Sequence, residues 1–226
     1  MTAQPAGSGM RMSTARVEAF SDGVLAIIIT IMVLELKPPE GDTLADLWHT
    51  TGLGLLGYVV SFVYVGIYWN NHHHLFQVAD EVDGRTLWAN LHLLFWLSLL
   101  PFTTGWVDES ALAPQPLLVY GVVLLGAACA YYVLQRMLLT RSTANSAARR
   151  AWEAGRSGPL GTSAKEKLSI ALYVLGILGA LGGSFLGAAV ASGAAIVCYV
   201  LVAVLWFVPD RRIEGARDSG PLGDPG

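Results

Sequence analysis

The sequence predicts an all-α membrane protein with six transmembrane helices per chain. Of its 226 residues, 54% are hydrophobic and 14% are charged, and the mean hydropathy is +0.51. A soluble core of this size cannot bury so much apolar surface. Six apolar stretches have the roughly 17–25 residues that a bilayer crossing needs: residues 17–36, 53–71, 87–104, 116–137, 168–186 and 188–208.

The last two spans must form a hairpin. Residues 169–208 contain no charged side chain, and as one helix they would be ~60 Å long, about twice the ~30 Å hydrocarbon core. Gly187, or Ser192 with Gly193, can supply the turn. In the third span, Pro101 predicts a kink or a helix end near the outer surface.

Basic residues predict the orientation. If the amino terminus is inside, only Lys37 among the 14 Lys and Arg residues falls on an outer segment. The inner ones are Arg11, Arg16, Arg85, Arg136, Arg141, Arg149, Arg150, Arg156, Lys165, Lys167, Arg211, Arg212 and Arg217. The positive-inside rule therefore predicts a multi-pass plasma-membrane protein with both termini cytoplasmic. We expect disordered tails at 1–12 and 213–226 around one membrane domain at 13–212.

Several classes of function lack support in the composition. The net charge of −3 gives no reason to expect nucleic acid as a partner; the expected surroundings are the lipid bilayer. Cys129 and Cys198 lie in mid-span, where they indicate neither a disulfide framework nor a metal site. Three consecutive histidines point about 100° apart on a helix and cannot converge on one ion. No metal and no cofactor is expected.

The first span has two distinct faces. Steps of four and three place one set of side chains on a common stripe: Arg16, Phe20, Gly23, Ile27, Thr30 and Leu34. Asp22 lies about 140° from Ile27 and so nearly opposite, with Ser21 on the flank. An acid inside a membrane marks an ion path, a proton relay or a polar strut between helices. We favour the strut, because Asp22 does not share the face of the stripe.

Candidate partners for Asp22 close the second span, at the same depth. They are Trp69, Asn70, Asn71, His72, His73 and His74. We expect one histidine to meet Asp22 or Ser21, with Asn90 and His92 of the third span extending this polar layer.

Arg16, Phe20, Ser21 and Asp22 form the motif R-x-x-x-F-S-D at the head of the first span. This resembles the signature of the endosomal and lysosomal potassium channels of the six-span, non-canonical kind and of their prokaryotic relatives. The runs WNNHHHLF (69–76) and SLLPFTT (98–104) are similar to other recurring segments of that family. The resemblance is specific over the first three spans.

The resemblance implies a homotetramer whose pore is formed by four copies of the first span. It implies an apolar constriction at Ile27, a hydroxyl layer at Thr30 that helps to distinguish ions, and a further apolar ring at Leu34. Arg16 and Asp22 would lock this helix to its neighbours, supported by Trp69, Asn71, His72 and His73.

Together with this resemblance, the sequence predicts a potassium-permeable, leak-type cation channel with a hydrophobic constriction. It contains no T-V-G-Y-G filter, so a carbonyl cage of the ordinary potassium-channel kind is not expected. It is not expected to be an enzyme. The alternative is a proton-coupled secondary transporter that uses Asp22 and His72–His74 as a relay. A membrane metalloenzyme and a structural or assembly protein are further alternatives.

Overall fold

The computed structural model describes residues 13–78, 82–141 and 162–207. Eight helices occupy these ranges: α1 (Thr14–Leu34), α2 (Leu44–Val78), α3 (Gly84–Ser98), α4 (Leu100–Glu109), α5 (Pro114–Arg141), α6 (Thr162–Leu181), α7 (Gly183–Leu186) and α8 (Ala188–Phe207). The predicted tails at 1–12 and 213–226 lie outside the described residues.

Helix α2 is longer than the predicted second span of 53–71. It begins at Leu44, because Thr43 and Asp46 cap it reciprocally. The Thr43 amide donates to Asp46 Oδ2 at 3.2 Å, and the Asp46 amide donates to Thr43 Oγ1 at 3.2 Å. This T-x-x-D arrangement is a capping box with Asp in place of Glu. The helix therefore begins nine residues before the predicted membrane span.

The third span is divided into α3 and α4 at Leu99, two residues before Pro101. Proline lacks the amide hydrogen that would continue the helical bonding. Of the predicted kink or helix end, the structure shows a helix end, at Ser98. At the amino terminus of α3, the Thr86 amide donates to Asp83 Oδ1 at 2.9 Å and caps the helix. The two helices together form one apolar segment, Gly84–Glu109.

The last two spans form the predicted hairpin, with its turn at α7 and Gly187. Gly187 has φ +83°, a left-handed conformation that favours glycine. Five helical segments in the described part of the chain are long and apolar enough to cross a membrane. Helix α6 is not among them, since Lys165, Glu166 and Lys167 lie in its first two turns.

Helix α5 lies at the centre of the bundle, where it contacts α2, α3, α4, α6 and α8. Buried tyrosines join this core: Tyr64 Oη donates to the Tyr199 carbonyl at 2.5 Å, and Tyr199 Oη donates to the Leu117 carbonyl at 3.2 Å. Helix α1 lies at the edge and packs against α2, α3 and α4. The fold therefore leaves one side of α1 uncovered.

Candidate functional site

Helix α1 buries one face against its own chain. The five buried side chains are each at most 3% exposed: Val17, Ser21, Leu25, Ile28 and Met32. They recur at steps of three and four, so they form a single face.

The predicted stripe lies on the opposite face of α1. Ile27 is 58% exposed and Leu34 is 79% exposed, and Thr30 is also exposed. Thr30 Oγ1 donates to the Ile27 carbonyl at 2.9 Å, so the hydroxyl proton is used within the helix. The oxygen lone pairs stay available as acceptors. The structure therefore brings Ile27, Thr30 and Leu34 together on a line that faces away from the rest of the chain.

A buried hydrogen-bond chain fixes the amino-terminal half of α1 to α2 and α3. Asn90 Nδ2 donates to Ser21 Oγ at 2.9 Å, and Ser21 Oγ donates to the Val17 carbonyl at 2.8 Å. The Asn90 amide oxygen lies 2.8 Å from His72 Nε2. All three side chains are at most 1% exposed. A polar group that is buried in a membrane protein needs such partners, so this chain acts as an anchor.

Two further connections join α1 to α2, one helical turn apart. Trp69 Nε1 donates to Asp22 Oδ1 at 3.0 Å. One turn nearer the amino terminus of α1, His73 Nδ1 lies 2.6 Å from Glu18 Oε1. Because the two helices are antiparallel, Glu18 pairs with His73, and Asp22, one turn further along α1, pairs with Trp69. Asp22 is thus held by a neighbouring helix.

The expectation that a histidine would bond directly to Asp22 or Ser21 was wrong. Trp69 occupies the position beside Asp22, and Asn90 stands between His72 and Ser21. Glu18 was not expected to take part. The sequence did contain an indication of this role, because Glu18 lies one turn before Asp22 on the same flank of α1.

Three other predicted site residues have different surroundings. Arg16 is exposed on α1, and the locking role that the resemblance implied for it stays a prediction. Phe20 is 55% exposed beside it. Asn71 contributes its backbone carbonyl, which accepts from Tyr131 Oη at 3.2 Å.

The three histidines diverge, as the helical geometry predicts. His72 turns to Asn90, His73 turns to Glu18, and His74 is exposed. Within the described ranges, no group of three or more His, Cys, Asp and Glu side chains could hold a metal ion.

An open groove flanks the stripe on the side of α4. It has a volume of about 550 Å³ and is bounded by Ile27 and Ile31 of α1 and by Phe102 and Trp106 of α4, with Glu35 at the carboxyl end of α1. The rest of the described chain does not fill it, so the uncovered surface includes this flank as well as the stripe.

Comparison with known proteins identifies the part of the chain that contains α1 and the residues that anchor it. The family model of the endosomal/lysosomal potassium channel TMEM175 matches residues 16–101, which include α1, its anchors and the start of α4. A potassium channel of Chryseobacterium sp. (strain P1-3) is 49% identical over 203 residues, which are 90% of this chain and 97% of that protein. The chain belongs to the TMEM175 family.

Solved structures share the TMEM175 fold. The lysosomal potassium-selective channel TMEM175 homolog from Chamaesiphon minutus superposes with a TM-score of 0.61 at 25% identity, covering 86% of this chain and 98% of that one. The mouse endosomal/lysosomal proton channel TMEM175 is 30% identical over 95 residues, which are only 19% of its length. TMEM175 proteins are ion channels, so this multi-pass membrane protein is not an enzyme.

Proposed function

We propose that this chain is one subunit of a potassium-permeable, leak-type cation channel whose pore is lined by α1. The observation that carries the proposal is the orientation of α1. Its buried face and its hydrogen-bonded flank are held by α2, α3 and α4, while Ile27, Thr30 and Leu34 face away from the chain. The Chryseobacterium relative is named a potassium channel, which supports potassium as the permeating ion.

Small side chains on the uncovered face favour another protein chain over lipid as its neighbour. Ala19, Gly23 and Ala26 are all exposed on α1, and a Cβ added at Gly23 would meet nothing within 4 Å. Small residues at such spacing let membrane helices approach closely. The family resemblance supports four copies, so we propose a homotetramer with one α1 from each subunit around a shared axis.

The proposed topology has six spans, with α6 as the fifth and both termini cytoplasmic. Helix α6 carries its charges near one end, where they would lie at the inner membrane surface. The bacterial relatives favour the plasma membrane as the location.

The proposed pore would work through its width and its wetting. A ring of Ile27 side chains excludes water while it is narrow, and it conducts once it widens enough to hold water and a partly dehydrated ion. Potassium loses its hydration water more readily than sodium, which favours potassium at such a neck. The Thr30 oxygens offer acceptors next to this ring, but no carbonyl cage replaces the hydration shell. Selectivity should therefore be modest.

The direct test is ion flux from liposomes that contain the purified protein. We expect potassium efflux without any activating ligand, slower sodium flux and no chloride flux. Ile27→Asn should raise potassium flux about tenfold, because a polar ring removes the barrier to wetting.

Leu175→Asn is the matched control for that variant. Leu175 lies on α6 and is, like Ile27, 58% exposed, so both variants place an amide on an equally uncovered surface. The control should conduct like the wild type. Equal passage of sodium and chloride, or unchanged flux in Ile27→Asn, would contradict the proposal.

The transporter alternative has less support. Its relay required contact between Asp22 and His72–His74, whereas Asp22 contacts Trp69 and His72 contacts Asn90.

A further inference from the structure

A small cavity lies between α2, α5, α6 and α8, on the far side of α2 from α1. Its volume is about 50 Å³, which is room for about one or two water molecules. The Glu166 carboxylate borders it, together with six aromatic side chains of the described residues: Tyr64, Tyr68, Tyr131, Tyr132, Tyr173 and Trp206. We propose that this cavity binds the ammonium group of an ethanolamine phospholipid, and that Arg136 binds the phosphate of the same headgroup.

The aromatic wall favours a positively charged occupant over water. Aromatic ring faces attract an ammonium group, whereas a buried water molecule needs two to four polar partners. Aromatic anchors of the membrane interface face the lipid, but Tyr68, Tyr131 and Tyr173 are at most 8% exposed, so their rings serve the interior. Glu166 supplies the opposite charge. A carboxylate has about four lone-pair sites, so it can accept from an ammonium group as well as from other donors.

Arg136 lies at the edge of this cavity. Its guanidinium carbon is 5.0 Å from the centre of the Tyr132 ring, and its Nε donates to Tyr132 Oη at 2.9 Å. Tyr132 itself borders the cavity. Arginine carries five N–H donors in a fork that matches a phosphate group. A negative side chain in the wall and a positive one at the edge therefore match a zwitterion that enters with its ammonium group first.

The cavity lies at a depth that suits a lipid headgroup. Glu166 is in the second turn of α6, and Trp206 is the penultimate residue of α8. The charged neighbours Lys165 and Lys167 mark the level of the membrane surface. Ile170 of α6 forms part of the wall and is 37% exposed, so the cavity reaches the outside of the bundle. A headgroup can enter there while its acyl chains stay in the bilayer.

The size of the cavity selects among headgroups. A primary ammonium group is about as large as a water molecule and fits the space, whereas the trimethylammonium group of a choline lipid is several times larger. A glycerol headgroup has the phosphate for Arg136 but no positive charge for Glu166 and the rings. The site should therefore prefer ethanolamine phospholipids to both.

The test is competitive lipid binding, measured by mass spectrometry of the intact protein. The protein is mixed with equal amounts of ethanolamine, choline and glycerol phospholipids that share the same acyl chains. We expect the wild type to bind the ethanolamine lipid about tenfold more tightly than either competitor, the typical effect of one cation–π contact or charged hydrogen bond. Ala128→Leu should abolish this preference, because Ala128 borders the cavity and leucine would fill it. Glu166→Gln should reduce the preference to about twofold, because the charged acceptor is lost.

Ala189→Leu and Glu109→Gln are the matched controls. Ala189 is exposed on α8 and Glu109 is exposed on α4, so the same changes are made away from the cavity, and both variants should keep the wild-type preference. Circular dichroism checks that all four variants keep their helical content. A wild type that binds the three lipids equally, or an Ala128→Leu protein that still prefers ethanolamine, would overturn the inference.

Soluble ethanolamine distinguishes a phospholipid from a free amine as the occupant. It lacks the phosphate and the acyl chains, so an equal amount of it should leave the binding of the ethanolamine lipid unchanged. Displacement of the lipid would overturn the phospholipid as the occupant. Because no ion flux is measured, failure of this inference would leave the proposed channel function intact.

Discussion

The role of Asp22 distinguishes two models of the proposed pore. In one, the carboxylate anchors α1 to its neighbour, and in the other it lines the ion path as a charge. Its carboxylate accepts from Trp69 of α2, on the flank of α1 between the buried face and the exposed stripe. A carboxylate in that position fixes the helix and would not meet ions in the proposed pore along Ile27 and Thr30. A charge filter would require the same group to face the conduction path.

Asp22→Asn tests this role directly. The side-chain oxygen of asparagine can still accept from Trp69, so the anchor is kept while the charge is lost. We expect potassium flux within about twofold of the wild type, the scale of a 0.5 kcal/mol effect, and an unchanged ratio of potassium to chloride flux in liposomes. A clear gain in chloride flux would show that Asp22 acts as a charge filter.

Residues of a single helix were the most predictable part of the site. The spacing of Ile27, Thr30 and Leu34 places them on one face whatever surrounds the helix, and the structure finds them on one exposed line. The pairing of Glu18 with His73, and of Ser21 with Asn90, was missed. Such pairs depend on the register between α1 and its neighbours, which helical periodicity does not determine.

At the scale of elements, α1 packs against three helices and buries a single face, whereas α5 is surrounded by five helices. Helix ends were predicted less well than helix existence. The T-x-x-D cap at Thr43–Asp46 lies in a polar segment outside the apolar run, so hydropathy alone does not locate the start of α2. The α6–α8 hairpin was predictable, because one uncharged helix of that length exceeds the bilayer.

Close packing of α6 on α8 gives an element-scale prediction. A Cβ built at Gly176 would lie 2.5 Å from Tyr199 Cε1 and 3.2 Å from Cys198 Cβ, whereas one at Gly193 of α8 would meet nothing within 4 Å. Gly176→Ala should therefore lower the free energy of unfolding by about 1–3 kcal/mol.

The matched control for that variant is Gly193→Ala, which should be neutral or stabilising by up to about 1 kcal/mol. Denaturant titration of the purified protein in detergent, followed by circular dichroism, measures both. Equal effects of the two substitutions would mean that α6 and α8 do not pack as described.

At the scale of the whole molecule, one chain supplies a single α1 and cannot enclose an ion path with it. The stripe, the small side chains beside it and the open groove next to α4 form one continuous uncovered surface. A closed ring of identical subunits would cover that surface and bring the stripes together at its axis. The anchors at Ser21, Asp22 and Glu18 would then hold each stripe in place from the other sides of the helix.

A density map of the purified particle in lipid nanodiscs tests this account most directly, because it gives both the number of subunits and the helix nearest the symmetry axis. We predict four copies, with Ile27, Thr30 and Leu34 of each α1 facing the axis and Asp22 turned toward Trp69. A map in which these three side chains face lipid, or in which Asp22 points into a central water column, would contradict it.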